Sequence, residues 1–163
     1  MAITYEPIAT TTLGSAAASV SFTSISSTFT DLVLIANTGS TVSAVTIVLQ
    51  FNGDTGSNYS DTSIYGSGSA AGSSRLSNTS NIYMGYLTSG GAVIDQTTII
   101  SINNYANTTT YKTAISRKND TGYVEACVGL WRNTAAINRV DVICSGSTFR
   151  TGSTFTLYGI KAA

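Results

Sequence analysis

The sequence predicts an all-β protein: an antiparallel β-sandwich, jelly-roll-like, with about ten strands and no substantial helix. Apolar residues alternate with polar residues at a period close to two, and β-branched residues and tyrosine dominate the apolar runs. These runs are short and are separated by turn residues, as in sandwiches and jelly rolls. Because 42% of the residues are hydrophobic, a folded core is expected. The 163 residues are expected to form a single β-sandwich domain, residues 1–163.

The first half of the chain contains four predicted strands before residue 52. Residues 4–13 form the first, with Pro7 near its start, where a strand edge tolerates the missing N–H donor. Residues 18–25 alternate and predict a half-buried strand. The runs at 32–36 and 45–51 are almost continuously apolar, which predicts strands buried on both faces, with a turn at 37–40 between them.

The rest of the chain alternates strands with turns. Residues 52–58 consist of turn-forming residues, residues 59–65 return to alternation, and the small residues 66–74 are interpreted as a flexible loop. The other predicted strands are residues 82–87, 92–103, 110–117, 122–132, 137–145 and 154–160. The total is therefore ten or eleven strands.

Charge and composition exclude several classes of function. Eight basic residues balance eight acidic residues, so the chain lacks the positive surface that binds nucleic acid or anionic membranes. It contains no histidine, which removes Ser-His-Asp and Cys-His catalysis and histidine-based zinc sites. We therefore expect neither an enzyme nor a cofactor. A hydroxyl-rich surface with only 10% charged residues favours assembly with a partner.

The start of the chain gives an expectation about localisation. Residues 1–7 lack the basic start and apolar core of a secretory signal, and no apolar run approaches the roughly 18 residues of a spanning helix. Synthesis and retention in the cytosol are expected.

The two cysteines match no metal or redox motif. Cys127 and Cys144 are separated by 16 intervening residues, with no CxxC pattern. They are predicted to be buried free thiols on neighbouring strands, and a disulfide between them is the alternative.

Carboxylate and amide side chains could form a functional site in two ways. The segment 52–61 offers four oxygen ligands for calcium, but their spacing does not match a calcium loop, and a plain hairpin turn is predicted instead. These candidate ligands are Asn52, Asp54, Asn58 and Asp61. A glycosidase would need two facing carboxylates, and the acidic residues are scattered, so this function is only a minor alternative. The acids considered are the glutamates Glu6 and Glu125 and, at predicted turns, Asp31, Asp54, Asp61 and Asp120.

The aromatic residues divide into predicted core and predicted contact residues. Tyr83 and Tyr111 lie inside alternating runs and are predicted to pack within the sheets. Trp131 is predicted to be buried, with a possible cation contact from Arg132 at its rim. The remaining candidates border loops and are candidates for contact with a partner. They are Tyr59, Tyr65 and Tyr105.

Several short segments, distributed over almost the whole chain, are unspecific individually but are characteristic when they occur together in this order. They are YEPIATTTLG at 5–14, FTSI at 22–25, FTDLVL at 29–34, LQFNGDTGSNYS at 49–60, NYA at 104–106, GLWRNTAAI at 129–137 and TFTLYGI at 154–160. In this combination the chain resembles a group of small tailed-bacteriophage virion proteins. The resemblance implies a structural part of the virion, in the head shell or in a fibre or tail appendage. None of the matching segments is a catalytic motif.

The resulting expectation is a head decoration, or cement, protein that binds the major capsid protein and stabilises the shell by buried surface. The chain would self-associate, with a homotrimer as the expected form, and would reside in the virion after assembly in the host cytoplasm. The alternative is a tail or fibre appendage that binds a host receptor through loop aromatics and the segment 66–74. No catalytic, cofactor or metal residues are predicted, and the partner-binding residues are not identified by the sequence.

Overall fold

The computed structural model describes residues 4–87, 94, 96–119 and 122–161, which contain twelve β-strands. The all-β prediction is confirmed, with twelve strands instead of about ten. The strands are β1 Tyr5–Thr12, β2 Ser19–Phe22, β3 Asp31–Thr38, β4 Val45–Phe51, β5 Tyr59–Gly66, β6 Ala71–Thr79, β7 Ile82–Leu87, β8 Gln96–Asn103, β9 Lys112–Asn119, β10 Val124–Trp131, β11 Val140–Ser145 and β12 Thr154–Ile160.

The strands form two antiparallel sheets with jelly-roll connectivity. The large sheet has the order β1-β12-β3-β8-β9-β10-β5-β6, and the small sheet has the order β2-β11-β4-β7. In a jelly roll, eight strands pair first with last, second with seventh, third with sixth and fourth with fifth. The pairs β1·β12, β2·β11, β3·β8 and β4·β7 follow this rule. The jelly-roll prediction is therefore confirmed by strand pairing.

Four strands are additions to that eight-stranded core. The hairpin β5–β6 lies between β4 and β7 in the chain, and β9 and β10 lie between β8 and β11. β9 continues the large sheet from β8, and β10 then pairs with β5. These four strands are called the inserted strands below. They double the width of the large sheet without a matching addition to the small one.

The hydrophobic core lies between the two sheets. Inward-facing residues of β3 and β12 in the large sheet pack with those of β4 and β11 in the small sheet. Leu34, Leu49 and Leu157 are each fully buried there. Phe149 and Phe155 meet edge to face, with ring centroids 4.9 Å apart. Strand β3 buries one face and leaves the other half-buried, so its predicted burial on both faces is wrong.

The prediction of a flexible loop at 66–74 is wrong, because residues 71–79 form β6. This strand is mostly exposed on both faces and is built from small and polar residues. It is held by backbone pairing with β5, so it needs no alternating apolar pattern. Part of another predicted strand, 92–103, lies outside the described residues; the described strand there is β8.

The segment 52–58 connects the two sheets, so the predicted hairpin is wrong. The strands before and after it, β4 and β5, belong to different sheets. The amide of Asn52 holds this crossover to the segment before β11, because Oδ1 accepts from Asn138 N and Arg139 N, and Nδ2 donates to Ala136 O. A side chain that can donate and accept is needed to satisfy these backbone groups.

Candidate functional site

The first candidate surface is a cavity of about 220 Å³ on the inner side of the inserted strands. It opens where β7, the edge strand of the small sheet, passes over β10 and β5. Because the small sheet ends at β7, it leaves the inner side of β6 uncovered. We call this the tyrosine cavity; its lining residues are Asp61, Ser63, Tyr65, Ser74, Leu76, Tyr83, Tyr123 and Glu125.

Two buried carboxylates of the cavity bind β7. Glu125 Oε2 accepts hydrogen bonds from Tyr83 Oη at 2.9 Å and from Tyr86 N at 3.1 Å. Asp61 Oδ2 accepts from Tyr83 N at 3.1 Å. Burial raises the pKa of Asp61, and the hydrogen bond from Tyr83 N partly opposes this. Burial, together with the bond to Glu125, also raises the pKa of Tyr83.

Two polar atoms that line the cavity have no hydrogen-bond partner among the described residues. Within the described ranges, neither Asp61 Oδ1 nor Ser63 Oγ makes a hydrogen bond, although the two residues are only 5% and 3% exposed. Both residues line the cavity, and neither atom is sealed from solvent. Buried polar groups are normally paired, so these two atoms are available to a ligand.

Aromatic rings lie next to the carboxylates on the same inner face, where the ladder pairs Tyr65 with Glu125. Tyr65 and Tyr123 stack with ring centroids 5.4 Å apart and planes 17° apart, and Tyr86 lies 6.2 Å from Tyr123. The Lys118 ammonium lies 5.4 Å from the centre of the Tyr123 ring. Tyr65 lies across Gly72 on β6, where a Cβ would be only 2.5 Å from the tyrosine Oη. The small residue on β6 therefore positions this ring.

The second candidate surface is the opposite side of the same strands. Ile64, Ile115, Val124 and Val128 are 62%, 47%, 57% and 52% exposed. Register places Ile115 directly beside Val128, and Ile64 directly beside Ala126. These five residues are called the outer apolar face. A depression of about 500 Å³ next to Ile64, Val124 and Ala126 belongs to it.

The four residues considered as calcium ligands, for which a turn was predicted instead, do not converge on one point. Asp54 accepts hydrogen bonds from Gly56 N, Asn58 Nδ2 and Trp131 Nε1 at 2.8, 2.9 and 2.7 Å. Burial alone would raise the pKa of Asp54, but these three bonds lower it overall. Asn52 is occupied in the sheet crossover, and Asp61 lies in β5 on the tyrosine cavity. The described residues contain no group of three or more potential acidic or sulfur metal ligands.

Two of the three loop tyrosines are core residues, contrary to the predicted contact role. Tyr59 is fully buried and donates a hydrogen bond to Asp54 O at 2.9 Å. Tyr105 is also fully buried and donates to Ser26 O. Tyr65 is the one that lines a cavity.

The predicted burial of Trp131 is confirmed, since its side chain is 1% exposed and lies beside Tyr59 with ring centroids 6.2 Å apart. The guanidinium of Arg132 donates instead to Ser57 O and Asn78 Oδ1. The cation contact suggested for this pair is therefore replaced by hydrogen bonds to the loop at Ser57 and to β6 at Asn78.

The acidic residues are less scattered than the sequence predicts. Asp31 begins β3, and Asp61 lies within β5, so neither is at a turn. Glu6 pairs with Lys161 at 2.7 Å. Asp120 lies outside the described residues. That Asp61 and Glu125 lie in the same cavity was not predicted from the sequence. The available signal was that each acid occupies an inward position of an alternating strand.

The cysteines are free and buried, as predicted, so the disulfide alternative is wrong. Their placement on neighbouring strands is also wrong, because Cys127 lies in β10 of the large sheet and Cys144 in β11 of the small sheet. Burial, with the nearby charges of Asp61 and Glu125, raises the pKa of Cys127 to about 12. Burial raises the pKa of Cys144 to about 11. Neither thiol is activated as a nucleophile.

Comparison with protein-family models and with curated proteins gave no match for this chain. None of the described residues forms a helix long and apolar enough to span a membrane.

Proposed function

We propose that this chain is a structural protein of a tailed-bacteriophage virion, and specifically a head decoration protein that binds the major capsid protein. The observation that carries the proposal is the outer apolar face, an exposed aliphatic surface on the three paired strands β5, β10 and β9. The resemblance to small virion proteins supplies the setting. The proposal includes no catalytic role and no nucleic-acid or membrane partner.

The outer apolar face has the properties of an interface centre. Such centres are depleted of charged residues, and the five residues of this face carry no charge. A charged residue, Arg117, lies beside Ala126 in the ladder and lines the depression. Complete burial of a valine or isoleucine side chain contributes about 1.5–3 kcal/mol, so several half-exposed ones can stabilise a complex. The backbone beneath them is fixed by ladders on both sides of β10, so little ordering is required on binding.

Self-association is part of the proposal, with a homotrimer as the expected form. A net charge of zero gives the chain no overall electrostatic repulsion between copies. Light scattering of the purified protein measures this form directly; a monomer at working concentration would contradict it.

Shell binding is tested by sedimenting the purified protein with shells assembled from the major capsid protein alone. The double variant Ile64→Ser, Val128→Ser is expected to sediment with the shells at least about tenfold more weakly, because the apolar gain is lost. Val42→Ser is the matched control, since Val42 is 49% exposed and lies outside the outer apolar face. Equal binding by the double variant and the wild type would refute the assigned surface.

A receptor-binding tail or fibre appendage is the second candidate, and the tyrosine cavity is the observation that favours it. Copy number in purified virions separates the two. An amount comparable to that of the major capsid protein supports decoration of the head, and a small fraction of that amount supports an appendage. Absence from virions contradicts both.

A further inference from the structure

We propose that the tyrosine cavity is a binding site for one neutral sugar ring. This inference does not depend on the shell-binding role, because the cavity lies on the opposite side of the inserted strands from the outer apolar face. The site would have the same chemistry on a decoration protein or on an appendage.

The size of the cavity restricts its ligand. At about 220 Å³ it is smaller than the roughly 300 Å³ or more of typical drug-sized sites. One sugar ring fits this space, with the remainder of a glycan in solvent beyond β6. The cavity is lined by residues of the paired strands β5, β6 and β10 and by Tyr83 of β7, so it is already formed before a ligand arrives.

The available polar atoms match a hydroxylated ligand. When Asp61 is ionised, its Oδ1 can accept hydrogen bonds but cannot donate one. Ser63 Oγ can both donate and accept. A sugar hydroxyl that donates to Asp61 Oδ1 would form a charge-assisted bond in a buried position. The Tyr83 hydroxyl already donates to Glu125 Oε2, which leaves its oxygen able to accept. Adjacent hydroxyls of a sugar ring present both donors and acceptors, which these three groups can bind.

The rings of Tyr65 and Tyr123 provide the apolar part of the site. The two are half-buried, and both line the cavity. The C–H side of a sugar ring is apolar and packs on such aromatic surfaces, which combine an apolar body with a polar tip. The cavity therefore combines polar atoms with aromatic rings in one lining, which suits a molecule that has both hydroxyl groups and an apolar C–H surface.

The charges of the site select against acidic sugars. Asp61 and Glu125 are both at least 94% buried and would repel a carboxylate or sulfate. A quaternary ammonium ligand would leave Asp61 Oδ1 and Ser63 Oγ without hydrogen bonds, because its nitrogen carries no N–H group that could donate to them. The ammonium of Lys118 also already lies over the Tyr123 ring. A neutral sugar is the ligand class that satisfies all of these groups.

The experiment is a titration of the whole ¹⁵N-labelled chain, followed by amide shifts, with glucose, galactose, mannose, fucose, N-acetylglucosamine and N-acetylgalactosamine. At least one neutral sugar is expected to bind in the millimolar range and to shift amides of β5, β7 and β10 around the cavity. Asp61→Asn is expected to weaken that sugar about tenfold or more. Asn keeps an acceptor for Tyr83 N, so the fold is retained.

Ser63→Ala is a second variant, which removes only a hydroxyl and is expected to weaken the same sugar. Ile115→Ser on the outer apolar face is the matched control and is expected to bind like the wild type. The inference is overturned if none of the neutral sugars shifts the cavity amides, or if Asp61→Asn and Ser63→Ala both bind as the wild type does. Preferential binding of glucuronate or of choline would also overturn the assigned class.

Discussion

Asp54 connects the loop between the sheets to the aromatic core. Its carboxylate accepts from two groups of its own loop and from the indole of Trp131, which is almost completely buried. The ring of Trp131 in turn contacts Phe51 and Tyr59, the last residue of β4 and the first residue of β5. One side chain therefore fixes how the chain passes from the small sheet to the large one.

Asp54→Ala is expected to lower the free energy of unfolding by about 2 kcal/mol, because the buried Trp131 N–H loses its acceptor. The lowered pKa means that the ionised carboxylate stabilises the fold above its ordinary pKa of 3.8. This stability is lost as the pH falls through the still lower pKa of the folded state, so the difference between variant and wild type is expected to shrink there.

Urea denaturation followed by tryptophan fluorescence measures this effect, because Trp131 is the single tryptophan. Asp54→Asn is the control, which keeps one acceptor oxygen and is expected to lose less stability. A stability of Asp54→Ala equal to that of the wild type at neutral pH would contradict the assigned hydrogen bond.

Asp61 is expected to show the opposite pH dependence. Its pKa is raised by burial, so protonation favours the folded state, and its contribution is most favourable below the ordinary value of 3.8. As the pH rises through the higher pKa of the folded state, that stability is lost. Asp61→Asn should therefore be at least as stable as the wild type at neutral pH and lose this advantage in acid. Thermal unfolding at a series of pH values checks it; a wild type that gains on the variant as pH rises would contradict it.

At the scale of elements, the contact between β7 and the inserted strands depends on a glycine in β10. A Cβ at Gly129 would lie 2.0 Å from Ile82 Cγ2, so only hydrogen at this position allows β7 to approach. This close approach places Tyr83 and Tyr86 within reach of Asp61 and Glu125. The tyrosine cavity therefore depends on the spacing between two strands of different sheets.

Gly129→Ala is expected to lower the free energy of unfolding by about 1–3 kcal/mol, because Ile82 and the strand beneath it must move. Gly66→Ala is the matched control, since a Cβ there meets only Val124 Cγ2, at an ordinary 3.7 Å. Guanidinium denaturation of both variants provides the comparison. Equal losses for the two glycines would show that the effect comes from backbone entropy and not from the contact with Ile82.

Strands with a two-residue period could be predicted from the sequence, and strand β6, which is built from small and polar residues, could not. Strand β12 alternates buried and half-buried residues along its length, which is the period that the sequence displays. Strand β6 has no such period, because its position at the edge of the large sheet is determined by backbone pairing alone. The cavity was missed for a related reason: Asp61 and Glu125 are 64 positions apart and meet only through the β5–β10 pairing.

At the scale of the whole molecule, the inserted strands give the sandwich two unequal halves. Over β1, β12, β3 and β8 the sheets face each other and form the core. Over β9, β10 and β5 the inner side is covered by β7 and, at one end, by Phe51 of β4, whose ring centroid lies 5.7 Å from that of Trp131 and 6.5 Å from that of Tyr59. Among the described residues, the outer apolar face is open. The alternation of apolar and polar residues along the chain could predict the half of the sandwich in which the two sheets face each other. The second half depends on which strands pair, and sequence alternation contains no information about that.

Reducing agent is expected to leave the melting temperature unchanged, because both thiols are free and lie in different sheets. Differential scanning calorimetry with and without dithiothreitol measures this. The variant Cys144→Ala serves as a control for effects of the reagent itself. A fall of several degrees in the wild type alone would indicate a bridge and contradict the structure.

The same arrangement makes each thiol a reporter for its own sheet. Alkylation requires an exposed thiolate, and Cys127 and Cys144 are 1% and 2% exposed with raised pKa values, so labelling must wait for local opening. Mass spectrometry of labelled peptides would therefore time the opening of the large and the small sheet separately. Equal rates would mean that the sandwich opens as one cooperative unit, and unequal rates would identify the sheet that separates first.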